Sequence, residues 1–205
     1  MAEFAKSLNV SRETIQRLEI YHQLLIKWQR AINLVSPATI PDAWSRHFVD
    51  SAQILPLIPA HITTIADLGC GGGFPGLVLS ILEPRFEMHL IESDEKKCQF
   101  MRTVSRETNT PVTIHNKRIE QAYEDVRPDM VSARALASLD RLLGYCEPWR
   151  QDNPALEYLF LKGAKAEEEV AGAEETYRFS CDFYASETDA QAQILHIKDV
   201  RPACE

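Results

Sequence analysis

Ten residues, Asp67-Leu68-Gly69-Cys70-Gly71-Gly72-Gly73-Phe74-Pro75-Gly76, limit what this chain can fold into more than any other part of it. They follow a short apolar run and precede a helical pattern, and five glycines fall within eight positions. Glycine admits positive φ and lets the backbone approach a ligand closely, and Pro75 suits the opening turn of a helix. A strand, a glycine turn and a helix in that order place a ligand at the carboxyl end of the strand. The bland alternative is a turn that is merely tight.

The residues around this turn supply the rest of an α/β fold. Short apolar runs at 62–67, 86–92, 112–115, 130–133, 156–161, 179–184 and 192–197 read as strands, and 74–82, 94–107, 139–149 and 164–177 read as helices between them. Such alternation implies right-handed crossovers and a sheet covered on both faces. The last two strands lack an intervening helix, which predicts one antiparallel strand at an edge. The expected core is therefore a Rossmann-like, seven-stranded, mainly parallel sheet over 61–205. Before it, Ser11 can cap a helix carrying Ile15, Leu18, Tyr21, Leu25, Trp28 and Ile32 at spacings of three and four. Ser36-Pro37 breaks that helix, and a second helical stretch with Trp44, Phe48, Ile54 and Leu55 ends at Pro56 and Pro59. Residues 1–60 read as a helical cap.

Composition excludes several functions. Five cysteines, Cys70, Cys98, Cys146, Cys181 and Cys204, contain no C-x-x-C pair, and six histidines form no ligand-spaced cluster, so neither a disulfide framework, a zinc site nor another metal site is expected. No leader of the secretory type opens the chain and no long apolar run follows, which points to the cytoplasm and away from a membrane. The net charge of −8 disfavours a broad basic surface for nucleic acid. Its distribution leaves room for a focused one, because residues 166–205 hold ten acidic and three basic residues while the rest is nearly neutral.

Glycine turns serve dinucleotides and other adenosine compounds alike. Gly71 to Gly76 satisfies G-x-G-x-x-G literally, but Asp67 stands two residues before Gly69, where a carboxylate would meet the phosphates of NAD unfavourably. S-adenosylmethionine has no phosphate and carries a sulfonium and an amine, which an acidic pocket suits. Glu92, about twenty residues on at the end of the second strand, can accept both ribose hydroxyls, or can simply cap the helix after it. Ile119 and its neighbours after the third strand can hold an adenine.

The set Trp28…Asn33-Leu34, Arg46-His47…Asp50-Ser51, the Asp67 to Gly76 turn, Glu92-Ser93…Lys96-Lys97…Phe100, Arg118-x-Glu120, Arg134-Ala135…Ser138-Leu139 and Leu161-Lys162-Gly163 resembles the bacterial RsmG (GidB) methyltransferases. The resemblance runs from about residue 20 to residue 165. It implies a class I S-adenosylmethionine-dependent fold that methylates N7 of guanine 527 in 16S rRNA, with S-adenosylhomocysteine as product. Carried over residue by residue, it puts cofactor contacts at Gly69, Phe74, Ile119, Glu120 and Arg134, beside Gly71 of the turn and Glu92 at the end of the second strand. The family more often has Asp at position 92 and Asn at position 29, where this chain has Glu92 and Gln29.

Guanine N7 is a lone pair with no proton to remove, so positioning and water exclusion matter more than a general base. No nucleophilic cysteine setting for pyrimidine C5 methylation is present, and Ser132-Ala133-Arg134-Ala135 stands where amino-methylating enzymes carry an Asn/Asp-Pro-Pro-Tyr motif. Arg134, at the end of a central strand, is the expected positioning residue; its bland alternative is an arginine paired with a surface carboxylate. Lys162, after the fifth strand, is a second expected positioning residue, and either contacts rRNA or is plainly solvated. Arg46 and His47 in the cap are expected to wall the pocket on the RNA side; the alternative for His47 is a satisfied structural residue. Lys96 and Lys97, with Arg102 and Arg106, follow helical spacing and either touch phosphates or form a solvated face. The expected substrate is 16S rRNA in the small ribosomal subunit, with no DNA and a monomeric enzyme. An NAD-dependent oxidoreductase and a non-catalytic nucleotide-binding regulator are the competing readings, although no Tyr-x-x-x-Lys pair is present.

Overall fold

A computed structural model describes residues 10–203. Cys204 and most of the N-terminal stretch read for a leader lie outside the described residues. Seven strands, β1 (Thr64–Leu68), β2 (Glu87–Glu92), β3 (Thr113–Asn116), β4 (Met130–Arg134), β5 (Glu157–Lys162), β6 (Tyr177–Ala185) and β7 (Gln193–Pro202), form one sheet in the order β3-β2-β1-β4-β5-β7-β6. The first five are mutually parallel and β7 runs antiparallel between β5 and β6. The expected reversed strand is therefore the last one, and it lies one place in from the edge with β6 outside it. A hairpin explains this order, since β6 and β7 are joined directly and must pair antiparallel.

Strand residues alternate between two apolar layers, as the two-residue period of a strand requires. Ile65, Met88, Met130, Leu159 and Leu161 pack on one face with Leu77 and Val78 of α2 (Gly76–Leu82) and Phe100 and Met101 of α3 (Glu95–Glu107). Ala66, Val131, Tyr158 and Phe160 pack on the other with α4 (Leu139–Tyr145), α5 (Glu147–Asp152) and α6 (Ala166–Ala173). The single helix expected over 139–149 is two helices, because Pro148 lacks the N–H a continuous helix needs and sits in the first turn of α5. The helix expected over 164–177 is shorter, and its last residues turn into β6.

The N-terminal segment joins the first layer. Ser11 caps α1 (Arg12–Trp28), its Oγ accepting from Thr14 N at 3.1 Å, and Leu18, Tyr21 and Leu25 are fully buried in the layer that holds α2 and α3. After a 3₁₀ segment, Pro37–Asp42, the second helical stretch winds as a π-helical turn, Trp44–Val49, and one α turn, Asp50–Ala52. That winding buries Phe48 while Arg46, His47 and Asp50 line a cleft at the carboxyl ends of β1 and β4. Between those two strands the chain order reverses, the position where open α/β sheets bind ligands.

Candidate active site

Residues 69–75 turn sharply from β1 into α2. Gly73 has φ +91°, and a Cβ there would lie 2.4 Å from Leu77 Cδ1 and 2.8 Å from the Tyr21 hydroxyl, so only glycine fits. Tyr21 donates to the Gly72 carbonyl at 2.5 Å and its ring stacks on Phe74 at 5.1 Å, which pins the loop to α1. Gly69, at φ +57°, faces Leu136, an exposed leucine whose side chain hangs over the loop. Cys70 is buried against Met101 and the Ile91 carbonyl, a small filler under the loop.

Asp67 corrects one expectation. It is fully buried and does not line the cleft; its carboxylate accepts from Gly76 N and from Ser132 Oγ, both at 2.9 Å. Burial pushes it up to about 7, against the pull of those hydrogen bonds and the Arg134 cation. Asp67 thus braces the start of α2 and offers no acid to a cofactor cation. The acid at the cleft is Glu92, whose Oε2 accepts from Gly71 N at 3.0 Å and Oε1 from Asp94 N at 2.9 Å. The cap of α3 is Asp94, which accepts from Lys96 N and Lys97 N, so Glu92 is not the cap. Each Glu92 oxygen keeps a lone pair for a further donor.

The cleft has two lobes that share Gly69, Lys97 and Ala135. One, of about 380 Å³, is walled by Glu92, Ile119, Glu120 and Leu136. Its shape and lining suit an adenosine: a carboxylate for ribose hydroxyls, Ile119 and Leu136 as apolar faces, and glycine backbone at close approach. The other, of about 440 Å³, lies between the glycine loop and the cap and is lined by Arg46, His47, Phe74, Arg134 and Lys162. Every cofactor and positioning residue expected from the sequence lines one of the two lobes, as do all the expected RNA contacts except Lys96.

Arg134 sits with its guanidinium 5.0 Å from the Phe74 ring centroid and donates to the Arg46 carbonyl at 3.1 Å and to Asp50 Oδ2 at 3.2 Å. It is carboxylate-paired, but half-buried inside the cleft rather than at the surface. His47 is buried, with Nε2 2.8 Å from the Thr39 hydroxyl; Thr39 already donates to the Ser36 carbonyl, so Nε2 is the donor to it. Burial and the neighbouring Arg134 and Arg46 cations depress His47 to about 3, leaving it neutral. Lys162 is neither solvated nor free: its Nζ donates to the Ala137 carbonyl and to Glu169 Oε2, both at 2.6 Å. Arg102 pairs with Glu95 and Arg106 with Glu107, so of that helical run Lys96 and Lys97 keep unpaired cations among the described residues.

Sequence reasoning missed the residues that tie the walls together. Asp50 Oδ1 accepts from Thr188 at 2.7 Å, Arg46 pairs with Asp189 at 3.1 Å, and Gln53 Oε1 accepts from Glu187 N at 2.7 Å. The β6–β7 loop thereby closes one side of the cleft, a role no motif in the acidic tail signals.

Residues 14–197 match the family described as GidB, rRNA small subunit methyltransferase G. The chain belongs to that family. It is 48% identical to the ribosomal RNA small subunit methyltransferase G of Paramagnetospirillum magneticum, over 97% of this chain and 95% of the relative, and 47% identical to that of Parvibaculum lavamentivorans, over 95% and 87%. Among solved structures, a putative caffeoyl-CoA O-methyltransferase from Staphylococcus aureus aligns with a TM-score of 0.56 at 13% identity, over 92% of this chain and all of that one. The M. capricolum TrmK complex with S-adenosyl-homocysteine aligns at 0.55 and 14%, over 73% and 67%. The fold is that of the class I S-adenosylmethionine-dependent methyltransferases, and membership of the family sets aside the oxidoreductase and regulator readings.

Proposed function

We propose that this chain transfers a methyl group from S-adenosylmethionine to N7 of guanine 527 of 16S rRNA, within the small ribosomal subunit or its precursor. The observation that carries the reading is the two-lobed cleft, in which an adenosine-sized lobe meets a second, cap-walled lobe at Gly69 and Ala135. Bound across the two, S-adenosylmethionine supplies an electrophilic methyl group on a sulfonium. Glu92 holds the ribose, Ile119 with Glu120 and Leu136 bracket the adenine, and the backbone at Gly69 and Gly71 follows the chain of the cofactor. On the other side Arg134, fixed by Asp50, and the neutral His47 and Phe74 form the wall against which the base is oriented. No residue removes a proton, in keeping with an N7 lone pair as nucleophile. The base must leave its stack or lie in an irregular loop to reach this wall.

In the same reading residues 1–60 act as a cap inseparable from the catalytic unit over 61–205, and the enzyme works as a monomer in the cytoplasm. The test is transfer of labelled methyl groups to small subunits and to protein-free 16S RNA, with the modified base mapped. Label at N7 of guanine 527 is the expected result; label at another base or atom overturns the assignment.

A further inference from the structure

Between Glu19 and Asp42 the chain has no acidic residue, although it holds 30 elsewhere. Within that stretch Lys27 and Arg30 are exposed and make no ion pair among the described residues. The fold sets Arg30 a few residues before a segment that lines the cleft, and Lys27 on the same exposed patch as Arg30. Arg30 lies in the turn after α1 that Gln29 closes by hydrogen bonds to Leu34 N, Val35 N and the Val35 carbonyl, and Leu34, Val35 and Ser36 line the cleft. The last turn of α1 packs on α3 through Trp28 and Phe100, whose ring centroids are 5.7 Å apart. One turn before Phe100 stand Lys96 and Lys97, and Lys97 lines both lobes. The acids of that turn are engaged, Asp94 with the helix N–H groups and Glu95 with Arg102. Beside Lys27 and Arg30, His22, Gln23 and Ile26 complete a shallow depression of about 350 Å³.

The opposite rim has the other sign. Glu167 and Glu168 on α6 and Glu187 in the β6–β7 loop are exposed and unpaired with any cation among the described residues, and Asp189 covers Arg46; the exposed Lys165 just before α6 offsets only part of this, so the rim is net acidic. A polyanion meeting a cleft with one cationic and one anionic rim is admitted from one side only.

We propose that the phosphate backbone of the rRNA enters over the joined ends of α1 and α3, on Lys27, Arg30, Lys96 and Lys97, and is kept off the β6–β7 side by Glu168 and Glu187. The proposal rests on the reading of rRNA as substrate. Lys27 and Arg30 are the contacts it adds, and they touch phosphate, not the base or the cofactor.

The experiment is steady-state methylation of small ribosomal subunits and filter binding of 16S rRNA, each across a salt series, for wild type, Lys27→Ala/Arg30→Ala, Glu168→Gln/Glu187→Gln and Arg12→Ala. For the double alanine, KM for RNA rises about tenfold and the log–log salt slope becomes shallower by about 1.5, the loss of two phosphate contacts. Its kcat at saturating RNA and its affinity for S-adenosylmethionine stay at wild-type values. The glutamine pair lowers KM for RNA several-fold. Arg12 lies at the far end of α1, about 22 Å away at 1.5 Å per residue, and its loss changes nothing. An unchanged slope in the double alanine, or an equal loss in Arg12→Ala, overturns the track, the latter by showing diffuse attraction only. If wild type binds 16S rRNA with a slope that depends on Lys27 and Arg30 yet transfers no methyl group, the reading of the reaction fails while the track stands.

Discussion

Single residues at strand ends form much of the candidate site, and their legibility in sequence depended on whether their partners are near in the chain. Glu92 and Arg134 were readable, because a polar residue ending a central strand in this topology has the cleft in front of it. Lys162 ends β5 and Asp67 stands one residue before the end of β1, but each is claimed by a partner that no spacing reveals: Glu169 across the turn into α6, and Gly76 N with Ser132 Oγ. Asp67 gives a pH prediction. Burial holds it at about 7 in the folded chain against 3.8 in the unfolded one. Between about pH 4 and 7 the folded chain therefore keeps a proton the unfolded chain has released, and stability falls as pH rises through that window. Asp67→Asn keeps an acceptor for Gly76 N without ionising, so thermal melts should show wild type losing Tm relative to the variant from pH 5 to 7.5; parallel curves would refute the buried ionisation. For Arg134→Ala, the Asp50 carboxylate loses its cation and Phe74 its cover. We expect kcat/KM to fall about 100-fold, the scale of a small misplacement at a reacting centre, with cofactor affinity by calorimetry changing far less. An equal collapse of both would reduce Arg134 to a structural role.

Elements were legible where a backbone rule dictates them and illegible where packing overrides local pattern. Every parallel strand, the capped α1 and the glycine turn follow from period, cap and turn chemistry. The π-helical turn does not: Trp44–Val49 has ordinary helical spacing, and its winding, which buries Phe48 while His47 and Asp50 line the cleft, leaves no local signal. The place of β7 inside β6 was equally hidden, since strand order in a hairpin depends on long-range pairing with β5. Tyr21 joins α1 to the glycine loop through its hydroxyl on the Gly72 carbonyl as well as its ring on Phe74. Tyr21→Phe keeps the ring stack on Phe74 and removes only this bond, whose net worth is about 1 kcal/mol. KM for S-adenosylmethionine should rise roughly fivefold with kcat preserved. A fall in Tm with KM unchanged would show that the hydroxyl stabilises the fold without setting the loop.

At the scale of the whole molecule, charge was readable and cooperativity was not. The near-neutral body and acidic tail were plain in composition, and the cap was expected to form one unit with the rest, although Pro56 and Pro59 punctuate the chain before β1 and no local pattern shows what joins the two. Packing supplies the reason. Leu18, Tyr21, Leu25, Phe48 and Ile54 lie in the same apolar layer as Leu77, Val78, Phe100 and Met101, so removing residues before 61 would strip one face of α2 and α3 to water. Uncovered apolar area costs roughly 25 cal/mol per Å², and a few fully buried side chains already amount to most of a domain's net stability. The full chain should therefore melt in one transition seen alike by far-ultraviolet circular dichroism and tryptophan fluorescence, for which Trp28 and Trp44 report the cap and Trp149 the opposite layer. S-adenosylmethionine at 100 times its Kd should raise the whole transition together, by about 2.7 kcal/mol. Two transitions, with the cap tryptophans melting first and the ligand raising only the second, would make the cap a separate unit that docks on a catalytic domain able to fold alone.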